Sequence, residues 1–213
     1  LKQYRPTRDL LHVSGLLLTG DTLDVFVCHL PSRSGGAKES ESYRLYAAHI
    51  LRMEVDSIMS IRSLPQVIIM GDFNDYPTNQ SIQKILEAEA PPVTTNNLAS
   101  TTGSTNFSTV APSSLKLYHL LARKAKSKDF GSYKYRGEWG LLDHLIVSGT
   151  LLNQSNHFFT SEEKANVCLL PFLLKDDEKY GDKEPFRTYK GMKYQGGVSD
   201  HLPIYADFEL ILY

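Results

Sequence analysis

Cysteine is scarce: Cys28 and Cys168 are the only two, so at most one disulfide is possible and a cysteine-built zinc site is excluded. Both lie in apolar surroundings, which predicts buried, unreactive thiols. An excess of charge is lacking too. Lysine plus arginine total 23 against 24 acids, a formal charge of -1, and the pI is near 6.7. No global basic field draws in nucleic acid, so a polyanion has to be held by a local patch or by metal. No apolar stretch approaches the roughly 20 residues that cross a membrane, and a soluble chain is expected. The start at Leu1 carries neither an initiator Met nor a signal-like stretch; the compartment, cytoplasmic or exported, stays open. With 213 residues, 41% hydrophobic and 22% charged, the chain fits a single globular domain over 1–213.

The centre of the pattern is Gln66 to Pro77. Val67 to Met70 is wholly apolar, as in a strand buried on both faces, and ends at Gly71. Asp72 and Asn74 follow at once, placing an acid and an amide at the rim of a core.

Around it, Leu10 to Leu18 and Leu23 to Leu30 read as a hairpin turning at 19–22. Pro31 ends the second strand, leaving His29, Ser32 and Arg33 near a glycine-rich loop, a trio suited to a phosphate oxygen. A long helix is expected over 39–62, with Tyr43, Tyr46, Ala47, Ile50, Ile58 and Ile61 inward and Arg44, His49 and Arg52 outward. A second helix is expected over 79–90, capped by Thr78 and stopped by Pro91 and Pro92. Residues 93–114 read as an irregular excursion, 115–122 as a short helix, and 123–128 as a basic, solvated run. Tyr133, Tyr135, Arg136 and Trp139 interleave aromatics with cations, a mix that stacks on a nucleotide or flanks a headgroup, or else packs as a rigid loop. Leu141 to Val147 is a strand interrupted by Asp143 and His144, and the buried acid needs a partner. Residues 204–213 close the chain as a final strand.

Asp72 and His29 end their strands, whereas Asp143 and the Asp200-His201 pair begin theirs. If the later strands run antiparallel to the earlier ones, all meet on one rim. Asp200 would then offer an oxygen to a hard metal, and Asp143 would orient the imidazole of His201.

Gly71-Asp72-Phe73-Asn74, Leu142-Asp143, Ser199-Asp200-His201 and His29-Leu30-Pro31-Ser32 resemble, in order, motifs of the endonuclease/exonuclease/phosphatase superfamily, whose nearest subset is its uncharacterised bacterial members. The resemblance implies an α/β, DNase I-like four-layer sandwich of two mixed β-sheets flanked by helices. It implies a phosphoester hydrolase, a phosphodiesterase, nuclease or phosphatase, that uses Mg2+ or Mn2+. Its substrate would be a nucleic acid, a phospholipid headgroup or a sugar or inositol phosphate. By motif, Asp72 resembles the residue that activates water and Asn74 the one supporting it. His201 resembles the phosphate-contacting histidine held by Asp143, and Asp200, with Asp72, the metal-site acids. His29 stands with a phosphate-contacting His or Tyr, with Ser32 and Arg33 beside it; Tyr133, Arg136 and Trp139 are expected substrate contacts. The pattern departs in one place. The usual early strands with an Asn and the metal-binding Glu have no counterpart, since no Glu occurs in the first 38 residues. The expectation is a C-terminal portion, completed by an associated N-terminal piece or else retained as a non-catalytic polyanion-binding or interaction domain.

Overall fold

A computed structural model describes residues 8–93 and 112–212. The hairpin forms from β1 (Leu11–Leu16) and β2 (Thr22–His29). Helix α1 (Glu41–Ile61) leads to β3 (Gln66–Asp72), which lies parallel to β2. Then come β4 (Leu117–His119), β5 (Tyr133–Tyr135), β6 (Glu138–Gly140) and β7 (Asp143–Ser148). One five-stranded mixed sheet has the order β1-β2-β3-β7-β4, with β7 antiparallel to β3. This is the α/β, DNase I-like arrangement expected, and β7 runs in the sense that the shared rim requires.

The second β layer consists of short ribbons. β8 (Phe158–Phe159) pairs with β15 (Glu209–Leu210), and β9 (Ala165–Val167) with β14 (Ile204–Ala206). Three hairpins, β5 with β6, β10 (Leu174–Asp176) with β11 (Lys183–Pro185) and β12 (Tyr189–Lys190) with β13 (Lys193–Tyr194), are the other two-stranded pairs among the described residues.

Alternation in β3 and β7 builds two cores. Val67, Ile69 and Ile146 pack with Phe26, Leu51 and Val55 under α1. Ile68, Leu145 and Val147 face Leu121, Leu151, Ala165 and Leu202 beneath the ribbons. Burial on both faces is why these strands read as near-continuous apolar runs. Gly71, at φ +133°, passes so close to the neighbouring strand that a Cβ would sit 1.9 Å from the Cys28 carbonyl oxygen; only glycine fits both the space and the dihedral.

Several local expectations are corrected. Helix α1 buries Arg44, Ala47, Ala48, Leu51, Val55 and Met59, while Tyr43, Tyr46 and Ile61 are exposed. The stripe is rotated because Asp75 draws Arg44 inward. The helix expected over 79–90 is a single π-helical turn, Ser81–Ile85, with Gln80 rather than Thr78 at its N-cap. It stops there because Glu87 turns left-handed at φ 52° and Glu89 bridges to Tyr118. Pairing to β7 likewise makes 117–119 a strand, and helical propensity yields to tertiary pairing. The basic run is partly engaged: Arg123 binds Glu162 and the Pro91 carbonyl, and Lys124 binds the Ala165 carbonyl. The final strand is broken between β14 and β15. Cys28 is buried and Cys168 half-buried, both free. Most of the excursion over 93–114, and Tyr213, lie outside the described residues.

Candidate active site

Three site residues stand side by side because of strand register. Asp72 pairs with His29 on β2 and with Asp143 on β7. Parallel pairing carries the ends of β2 and β3 to the rim where antiparallel β7 begins. His29 Nε2 lies 3.4 Å from Asp72 Oδ2. His201 arrives from the other layer, bridged to Tyr133, and its Nδ1 is 2.7 Å from Asp143 Oδ2. Since Asp143 accepts there, Nδ1 carries the proton and Nε2 is left for the site. Ser132 Oγ donates to the same Asp143 oxygen at 2.5 Å.

The electrostatics separate the two halves. Burial, reinforced by the charge of Asp143, pushes the Asp72 carboxyl above its ordinary range despite the hydrogen bond from the Asn74 amide. Burial pulls the His201 imidazolium toward neutrality, but the bond to Asp143 and the charges of Asp143, Asp72 and Asp200 outweigh it and raise its pKa. A carboxylate nearer neutrality and an imidazole more readily charged are the two ends of an acid–base pair.

Asp72 is aimed by its own loop. Asn74, left-handed at φ 51°, donates its backbone N–H to Asp72 Oδ1 at 2.8 Å and its amide to Asp72 Oδ2 and the Leu30 carbonyl, each at 3.1 Å. Phe73 N donates to the Leu142 carbonyl at 2.9 Å. Asp75 sits 2.8 Å from Arg44 Nε, a buried charge pair whose N–H does not point at the oxygen, and accepts from Ser81 at 2.7 Å.

The remaining expected residues are placed as follows. Ser32 is exposed, its hydroxyl near the Ser34 amide. Arg33 is engaged: Nε donates to the Asn74 carbonyl at 2.8 Å, Nη2 to Asn79 at 3.2 Å, and its plane lies over Tyr76. It therefore also braces the loop that follows Asp72. Tyr133 is 5.0 Å from the His201 ring. Arg136 is exposed at the β5–β6 turn, over Tyr135. Trp139 packs against the second core, with Lys134 near its face. Asp200 is exposed and lies outside the group that Asp72, Asp143 and His201 form. Ser132, Arg44, Asp75 and His119 were missed. Only His144, an imidazole inside an apolar strand, carried a signal.

Asp72, Asp143 and His201 each offer a ligand atom, all within 4.8 Å of one another. Two carboxylates, one with its pKa raised by burial and by its neighbour's charge, suit a hard cation.

The mixed sheet brings His29, Asp72 and Asp143 to one rim, in a DNase I-like arrangement. Residues 2–210 match the family described as the Endonuclease/Exonuclease/phosphatase family, and the chain belongs to it. No curated protein matches significantly. Among solved structures, a humanized D. rerio TDP2 is 14% identical with TM-score 0.50, over 94% of this chain and 60% of that one. A Bacteroides thetaiotaomicron mannosyl-6-phosphatase is 15% identical with TM-score 0.48, over 89% and 52%. The human Nocturnin catalytic domain, with bound sulfate, is 17% identical with TM-score 0.42, over 97% and 60%. The chain thus spans about half to three-fifths of the structures it matches. At these identities the likeness concerns the fold.

Proposed function

We propose that this chain carries the catalytic rim of a divalent-metal-dependent phosphoester hydrolase. The observation that supports it is the row His29, Asp72 and Asp143, closed by His201. Asp72 accepts the proton of the attacking water, a role favoured by its raised pKa. His201, held by Asp143, presents Nε2 to the phosphate and stabilises charge on its oxygens. Asn74 orients Asp72, and His29 lines the same rim from β2. Asp72 and Asp143 are the nearest holders of Mg2+ or Mn2+, with Asp200 adding negative charge at the lip. When bound, the ion polarises the phosphoryl oxygen and lowers the pKa of water. Tyr133 and Arg136 are the proposed walls for the rest of the substrate, whether nucleic acid, headgroup or sugar phosphate.

The test is turnover of bis-p-nitrophenyl phosphate with Mg2+, abolished by EDTA and by Asp72→Asn. Activity that survives either treatment overturns the reading. The exposure of Asp200, outside the group that Asp72, Asp143 and His201 form, favours one second reading, a non-catalytic binder of phosphorylated ligands. Pyrophosphate binding by calorimetry without turnover of the diester selects it.

A further inference from the structure

His119 on β4 and His144 on β7 are fully buried, yet the chemistry above uses neither. Their hydrogen bonds have a direction. The Leu121 amide donates to His119 Nδ1 at 3.1 Å, so the proton of His119 lies on Nε2. That nitrogen faces His144 Nδ1 at 2.5 Å, which must accept, leaving the His144 proton on Nε2. His144 Nε2 then donates to the Asp75 carbonyl at 2.8 Å. All four ring nitrogens are engaged and neither ring needs a charge. Burial works the same way, pulling His144 down to about 4 and His119 well below its ordinary value.

Two buried imidazoles are a costly way to fill apolar space, which Leu or Phe fills without polar atoms. What the pair adds is a directed, fully satisfied chain ending on the backbone one residue beyond Asn74. The edge of the Phe73 ring also meets His144, with centroids 5.1 Å apart. Phe73 and Asp75 are thus both anchored on His144, and the residues alternating with them, Asp72 and Asn74, face the rim.

We infer that His119 and His144 are a positioning pair that holds the Asp75 carbonyl and thereby fixes the direction of Asp72 and Asn74. The inference rests on the proposed function for its kinetic consequence, but its structural content stands apart. Histidine 15N shifts should show the Nε2–H tautomer in both rings; an Nδ1–H tautomer at His144 overturns the inference. In His144→Leu, the backbone amides of Asn74 and Asp75 should shift, and kcat should fall about tenfold with KM within about twofold, the pattern of misplaced rather than missing groups. His144→Gln restores an Nε2 donor and should bring both readouts most of the way back. Unmoved amides in His144→Leu, or no recovery in His144→Gln, reduce the pair to packing. If the wild-type chain shows no turnover, the hydrolase reading fails while the amide shifts still decide the positioning. Should His144→Leu not fold, His119→Phe keeps ring volume and removes the donor to His144 Nδ1; it must move the Asp75 amide in the same direction or the inference fails.

Discussion

Asp72 and His201 face one another across a single rim, but they are held in different ways. Asp72 ends an interior strand paired on both sides, and the loop after it is fastened by Leu142, Arg33, Arg44 and His144. His201 follows a stretch of two- and three-residue ribbons on which Tyr189, Met192, Tyr194 and Val198 are exposed. It is secured near the ring, by Asp143, by the Tyr133 bridge, and by the Leu202 amide donating to the Ser132 carbonyl at 2.7 Å. The difference teaches where variation is cheap. The Asp72 side is fixed by the core, whereas the His201 side is carried by loops that change without dismantling the sheet.

The sharpest way to break this contrast is chemical. Asp72→Asn should cost on the order of 100-fold to 10,000-fold in initial rate on bis-p-nitrophenyl phosphate, with the melting temperature unchanged or higher, since a buried acid of raised pKa is removed. Next, Arg44→Met should destabilise by about 3–5 kcal/mol in chemical denaturation, because it leaves the Asp75 carboxylate buried without its main counter-charge. On the other side, His201→Ala and Asp143→Ala should each lower the rate by about 100-fold, and the double variant should be little worse than either single one, as for residues that act as a unit. Additive losses would show that Asp143 does more than hold His201.

The stability prediction is smaller and concerns the fastened side alone. The folded state keeps His119 and His144 below their unfolded values, so it binds fewer protons than the unfolded chain. Their contribution is full above about pH 6.5 and declines as pH falls below it, for His144 down to about 4. Denaturation at pH 7 and pH 5 should give a shallower loss for His144→Gln than for wild type; an equal slope would mean that the rings titrate freely. Smallest in energy is a labelling contrast. Cys28 lies beneath the fastened arm, its thiol pushed up to about 12 by burial, and Cys168 is half-buried among the ribbons. Iodoacetamide should modify Cys168 first, with Cys28 following only as that arm opens.

Much of the site was legible because it is local in sequence. Gly71 to Asn74 announces a strand end and its polar cargo within four residues, and the positions of His29 and Asp143 relative to their strands implied the rim. Residues whose role comes from partners far along the chain were not legible. Arg44 looks like a solvent-facing helical residue until Asp75 is placed beside it, and Ser132 gives no sign of serving Asp143. The second helix fails beyond one turn for the same reason: 79–90 is apolar at helical spacing, but Glu89 is claimed by Tyr118 of β4. Spacing reports which face is apolar; it does not report which backbone groups a distant strand will take.

The close passage of Gly71 against the Cys28 carbonyl bears on how a map of mutational sensitivity would look. Position 71 would score as intolerant as Asp72, though it touches no reactant and has no side chain to lose. Such a map would trace clearance and chemistry with the same mark, and only a purified variant, unable to close the β2–β3 seam yet retaining every acid and imidazole, would tell the two apart.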